Sequence, residues 1–417
     1  MITKEILSNG LTILTERMPH VRSVAMGIWL KRGTRHERAG EGGIAHFIEH
    51  MVFKGTERRS QLQIAQELDA IGGHSDAFTT QEYAGFHAKV LDEHLPQVTD
   101  LLADVLLHPS FDPDELERER KVIFEEIKMV EDAPDELAYE IFVESFWRNH
   151  PLGRPILGTS ETVEAFRRED LIRFFRSTYV PGNLIVAAAG NLEHERTVDL
   201  VGQYFGSLPP LTDPVDEYPP LVQPDICYRE KDLEQVHLVI GTVAPPESHE
   251  DRFALYVLNS VLGGTMSSRL FQVIREKSGL AYSVSSTLTC YRDAGNLTIY
   301  AGTSPRTASR VVELVLHELR RIKQHPVHSD ELTRAKEHLR GSMLLSLEGT
   351  GSRMSELARR EMYFGRQVPL EEELDGIDRV TAEDVLRLAT EMFDRPLGLT
   401  AIGNLEYLRP VPEKLVA

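Results

Sequence analysis

The sequence predicts an α+β protein built from two homologous halves, and three observations lead there. Strand-like stretches are followed by blocks of amphipathic helix, the order recurs at a nearly constant offset, and a proline-rich stretch separates the copies. Residues 2–16 read as strand with the turn pair Asn9-Gly10 inside, and 24–31 and 77–90 have strand-like composition. Residues 62–71, 95–107 and 114–130 carry the apolar spacing of helices. The first half ends on the helical run Glu169-Asp170-Leu171-Ile172-Arg173-Phe174-Phe175, a strand over 184–189 and Gly190-Asn191-Leu192-Glu193. The second ends on Glu383-Asp384-Val385-Leu386-Arg387-Leu388-Ala389, a strand over 397–402 and Gly403-Asn404-Leu405-Glu406. Asp114-Glu115-Leu116-Glu117-Arg118 likewise matches Asp330-Glu331-Leu332-Thr333-Arg334, so the matches lie 213 to 216 residues apart.

Between the copies, Pro209, Pro210, Pro214, Pro219, Pro220 and Pro224 alternate with acidic residues, a composition that reads as an extended linker. The expected organisation is therefore an N-terminal domain over 1–208, a linker over 209–224 and a C-terminal domain over 225–417. At 417 residues the chain is too long for one ordinary core.

With 46 basic and 65 acidic residues, the formal charge of −19 disfavours a nucleic-acid partner and favours basic ligands. Cys227 and Cys290 stand far apart in no paired motif, so neither a disulfide framework nor a thiolate metal site is expected. No apolar run is long enough to span a bilayer, and no basic or amphipathic leader opens the chain. A cytoplasmic location is the expectation.

The chemistry concentrates in His46-Phe47-Ile48-Glu49-His50. On a helix, His46 and His50 project from one face with Glu49 at its edge. Two imidazole ligands beside an unligated carboxylate form the arrangement by which a zinc hydrolase holds its metal and activates water. The order H-x-x-E-H is the signature of the inverted zincins. A third ligand is required. Glu119 and Glu126, seven apart on one helix, share a face, while Glu125 points elsewhere toward solvent. At the repeat offset the second half has Ala335 and Ser342 in their place and no H-x-x-E-H, so only the first half can carry this site. The remaining histidines, among them His74, His87, His94 and His108, have no metal spacing to the motif.

At these residues the chain resembles the pitrilysin/insulinase zinc peptidases, in particular the two-domain branch that includes the mitochondrial processing peptidase β-subunit and its bacterial relatives. That family places a glutamate ligand about 76 residues after the motif, and His50 to Glu126 spans 76 positions; a second glutamate seven earlier matches Glu119. The stretch Gly42-Gly43-Ile44-Ala45 through Lys54-Gly55-Thr56 follows the family signature almost throughout, and the resemblance covers nearly the whole chain. It implies two mixed α/β-roll domains of the mitochondrial-processing-peptidase-like metallohydrolase fold.

The resemblance also implies roles. His46, His50 and Glu126 would bind one Zn²⁺ per chain, Glu49 would be the catalytic base, and Glu119 would support the site. Arg275 and Tyr282, in the run Arg275-Glu276-Lys277-Ser278-Gly279-Leu280-Ala281-Tyr282, would reach the substrate. Ala77, Phe78 and Thr79 would lie on an edge strand that pairs with an extended peptide. Where the family often has asparagine, this chain has Asp76. The implied protein is a metalloendopeptidase acting on polypeptides or presequence-like peptides inside a dimeric chamber. It would be a homodimer or a heterodimer with a paralogous subunit. A catalytically silent subunit is the competing reading, and such subunits usually lose members of the motif that are all present here.

Overall fold

A computed structural model describes residues 2–211, 217–409 and 415–417. Its strands are β1 (Ile2–Ile6), β2 (Thr12–Arg17), β3 (Ser23–Leu30), β4 (His74–Thr79), β5 (Ala84–Leu91), β6 (Leu184–Gly190), β7 (Ile226–Glu230), β8 (Val236–Val243), β9 (Ala281–Cys290), β10 (Gly295–Thr303) and β11 (Gly398–Gly403). In the first half the helices are α1 (Ile44–Val52), α2 (Gln61–Ala70), α3 (Leu95–Leu107), α4 (Pro113–Asp132), α5 (Pro134–Phe146), α6 (Ser160–Ala165), α7 (Arg168–Thr178) and α8 (His194–Phe205). The second half has α9 (Arg252–Leu262), α10 (Ala308–Gln324), α11 (Ser329–Ser346), α12 (Thr350–Phe364), α13 (Leu370–Arg379) and α14 (Ala382–Phe393). The strand-like stretch 77–90 resolves into a hairpin, because Thr80 turns the chain: its amide and hydroxyl both donate to the Tyr83 carbonyl, at 2.8 and 2.9 Å.

The chain folds into two compact units. The first comprises Met1–Lys128, Arg154–Glu217 and Ser346–Gln367. It contains a six-stranded sheet in the order β1-β2-β6-β3-β5-β4. One sheet face packs on α3 and α8, within a core that includes Met26, Ile28, Phe86, Leu102 and Val186. The other face presents Leu14, Ala25, Trp29, Ile185 and Ala187, and these are covered by Met354, Leu357 and Ala358 of α12. The second unit comprises Met129–Gly153, Tyr218–Leu345 and Val368–Ala417, around a five-stranded sheet in the order β7-β11-β8-β10-β9. There α10 and α14 contribute to one core, while Phe142, Phe146 and Trp147, from α5 and its end, pack with Val239 and Ile402 on the opposite face.

The compact units are thus not the consecutive halves 1–208 and 225–417. Helices α5 and α12 occupy the same place in the repeat, and each covers the sheet built mainly from the other half. The physical reason lies in the sheets. Gly241 and Gly398 lie so close under the Phe142 ring that a Cβ at either would stand 2.5 or 2.9 Å from it, which shapes that face for α5. Of the linker, 212–216 lie outside the described residues; 217–224 form no regular element.

The repeat is physical as well as textual. β6 and β11 each sit between a parallel neighbour (β2, β7) and an antiparallel one (β3, β8). Gly190 and Gly403, which open the shared Gly-Asn-Leu-Glu ending, have φ of +143° and +133°. A Cβ there would meet the Ser23 and Gln235 carbonyl oxygens at 2.2 and 2.4 Å, so both copies need glycine for the same close approach.

Candidate metal centre

Helix α1 buries Ile44, Phe47, Ile48, Met51 and Val52 and leaves His46, Glu49 and His50 on its open side, as the helical period requires. Its start is fixed from outside. Gly43 precedes the helix at φ +91°, where a Cβ would stand 2.5 Å from the Leu157 carbonyl oxygen, so no side chain can cap the helix locally. Glu37 supplies the cap: its two carboxylate oxygens accept from the Gly43 and Ala45 amides at 3.0 and 2.9 Å. Burial pushes the Glu37 carboxyl up to about 8, against the pull of those two donors.

Helix α4 crosses with Leu116, Glu119, Arg120 and Ile123 buried. Arg120 anchors it by donating to the carbonyls of Phe166, at 2.8 Å, and Val163. Two turns of α4 then aim two carboxylates at α1. Glu126 Oε2 lies 3.7 Å from His46 Nε2 and 3.7 Å from His50 Nε2. One ligand atom each from His46, His50 and Glu126 falls within 4.8 Å of the others. Tetrahedral ligands at about 2.0–2.2 Å from a zinc ion stand roughly 3.4 Å apart, close to these separations. Glu126 Oε2 is buried and has no hydrogen-bond partner, as expected of an atom reserved for a cation. Burial, then the neighbouring His50, pushes His46 down to about 3, which keeps its imidazole neutral and able to ligate. The three residues fit a divalent ion.

A second layer orients the first. His50 Nδ1 bonds Glu119 Oε2 at 3.0 Å, leaving Nε2 toward Glu126, and Lys54 Nζ donates to Glu119 Oε1 at 2.6 Å. Burial alone would raise Glu119; its bonds to His50 and Lys54 hold it below the usual carboxylate range. Burial raises Glu49, opposed by the Thr79 hydroxyl, which donates to its Oε2 at 2.6 Å. Glu125 turns away and pairs with Lys128 at 2.7 Å.

Strand β4 is an edge of its sheet, bonded to β5 on one side and packed against α1. Thr79 faces α1, and Ala77 packs on the core of that same side. The Phe78 ring lies on the opposite face against Trp29, Tyr83 and His87, so its side chain is committed to packing. Arg275 and Tyr282 belong to the second unit and meet each other, the guanidinium 4.8 Å from the centre of a tyrosine ring that is 79% exposed. Sequence reasoning assigned no role to Glu37 or Lys54 and none beyond the strand edge to the Thr79 hydroxyl. Lys54, four residues after His50, carried a faint spacing signal; Glu37 carried none, because its partners are backbone amides.

The family model described as Insulinase (Peptidase family M16) matches residues 12–160, and that described as Peptidase M16 inactive domain matches 165–339. The chain belongs to the M16 peptidase family. An uncharacterized zinc protease of Bacillus subtilis (strain 168) is 41% identical over 97% of this chain and 100% of its own length. One of Mycobacterium leprae (strain TN) is 38% identical over 99% of this chain and 94% of its own. The fold matches a protease from Helicobacter pylori with a TM-score of 0.92 at 23% identity, over 96% of this chain and 99% of that one. It also matches a peptidase M16 inactive domain from Pseudomonas fluorescens, with a TM-score of 0.92 at 19% identity over 99% and 100%. This M16 chain has, among its described residues, no helix long and apolar enough to cross a membrane.

Proposed function

We propose that the protein is a zinc metalloendopeptidase that hydrolyses peptide bonds in extended polypeptides. The observation that carries this reading is the convergence of His46, His50 and Glu126 with Glu49 unligated beside them. The zinc-protease names of its M16 relatives support it. His46, His50 and Glu126 would hold Zn²⁺, which when bound supplies Lewis acidity and lowers the pKa of a water toward about 7. Glu49 takes the proton from the attacking water and delivers it to the leaving amine; its raised pKa suits a group that must do both. Glu119 keeps His50 in the tautomer that points Nε2 at the site. The backbone edge of β4 pairs with the peptide largely irrespective of its sequence, through Ala77, Phe78 and Thr79.

Arg275 and Tyr282 would contact substrate from the C-terminal half, and in a dimeric chamber they would serve the partner's site. Acidic composition suits basic, presequence-like substrates in a cytoplasmic setting. The decisive experiment is Glu49→Gln, which should keep one zinc per chain and abolish cleavage of an unfolded basic peptide. Retained cleavage sinks the assignment. Mixing Glu49→Gln chains with Tyr282→Phe chains should restore activity if sites are shared across a dimer; no recovery in verified mixed dimers refutes the shared site.

A further inference from the structure

We propose that Thr79 is a positioning residue for the catalytic base: its hydroxyl holds the Glu49 carboxylate in its working orientation, from the same strand edge on which a peptide would dock. The proposal rests on the reading of Glu49 as the base. Thr79 Oγ1 donates to Glu49 Oε2 at 2.6 Å, and among the described residues no other hydrogen bond restrains that carboxylate. One oxygen is therefore fixed, and Oε1 is left to exchange a proton. An ionised carboxylate can only accept, so the hydroxyl is the complementary partner.

The hydroxyl is itself held by backbone on both sides. Thr79 is the last residue of β4 and pairs with Ala84 of β5. Thr80, directly after it, bonds the Tyr83 carbonyl and accepts from the Thr34 amide at 3.1 Å. A β-branched side chain has few χ1 choices, so a fixed backbone gives a fixed Oγ1. Ala77, two residues earlier and packed on the same side, has no polar side-chain atom, and among the described residues Thr79 is the β4 side chain hydrogen-bonded to the base. A peptide added to the outer edge of β4 would stiffen the strand that carries this hydroxyl. Docking and orientation of the base are then linked through one side chain.

The test uses full-length, zinc-loaded protein, a fluorogenic extended peptide, and the variants Thr79→Val, Thr79→Ala and Thr79→Ser. Valine keeps the shape and removes the donor, alanine removes both, and serine restores the donor. Loss of orientation should lower kcat about tenfold or more in the valine and alanine variants, with KM within about twofold of wild type. Zinc content should stay at the wild-type value, and serine should return kcat to within about threefold. Unchanged kcat in the valine variant overturns the proposal. So does a rise in KM alone, which would make Thr79 a substrate contact, or a serine variant as impaired as valine. A wild-type chain that holds zinc but cleaves nothing overturns the endopeptidase reading and the Thr79 role with it, whereas a cleaving wild type with an unaffected valine variant overturns Thr79 alone.

Discussion

Replacing Glu119 probes the proposed metal centre without touching any of the three residues proposed as ligands. The residue is 5% exposed and joins two partners, His50 Nδ1 at 3.0 Å and Lys54 Nζ at 2.6 Å. Glu119→Gln keeps the shape and an acceptor but removes the charge. A hydrogen bond to a charged group contributes about 1.5–3 kcal/mol and a neutral one about 1 kcal/mol. The difference, about 0.5–2 kcal/mol, corresponds to a roughly 2- to 30-fold loss of zinc affinity at about 1.4 kcal/mol per tenfold. Glu119→Ala removes the acceptor as well and should lose about 10- to 100-fold, the range typical when the partner of a ligating histidine is deleted. Competition with a chelator of known affinity measures both, and thermal unfolding of the metal-free proteins checks that each variant folds. A folded Glu119→Ala variant that binds zinc within about threefold of wild type would refute the view that this carboxylate orients His50.

Other parts of the molecule give equally definite expectations. Because burial lifts Glu37 from its ordinary 4.5 to about 8, the folded state holds its proton more tightly than the unfolded chain. Its contribution to stability is complete below about 4.5 and falls as pH rises to about 8, by up to about 1.4 kcal/mol per pH unit. Glu37→Gln should flatten the wild-type stability–pH curve across that window, as followed by urea unfolding; parallel curves would contradict the account. Gly43→Ala forces a side chain into a left-handed backbone facing the Leu157 carbonyl and should cost about 2 kcal/mol or more, so an unchanged unfolding midpoint would count against the tight helix start. Phe142→Ala empties the packed face of the second sheet and should cost about 3–5 kcal/mol; a loss under 1 kcal/mol would mean that α5 does not anchor there.

Much of this molecule is legible in its sequence where the signal is periodic or local. The helices at 61–70, 95–107 and 113–132 follow from apolar spacing, and the strands at 184–190 and 398–403 from apolar runs that are buried along their whole length. His46, Glu49 and His50 are readable because helical geometry turns spacings of three and four into a shared face. Glu119 and Glu126 share another because they lie seven apart, but that Glu126 is the one to meet the histidines is implied by the family resemblance and not by spacing. What could not be read depends on backbone groups or on chain segments far apart in sequence. Glu37 binds amides, which leave no trace in side-chain pattern. Nothing in residues 350–364 says that their apolar face meets Trp29 and Ile185 rather than the sheet of their own half.

That exchange of helices has a consequence for biosynthesis. Arg353 of α12 pairs with Glu16 of β2 across 337 residues, so the first sheet waits for nearly the whole chain to leave the ribosome before its second face is covered. Until then Leu14, Trp29, Ile185 and Ala187 remain open to water, or to other nascent chains. A gene cut at the proline-rich stretch would yield two fragments, each lacking a helix its sheet requires and carrying one it cannot use. Co-expressed, the fragments should be insoluble apart and soluble together.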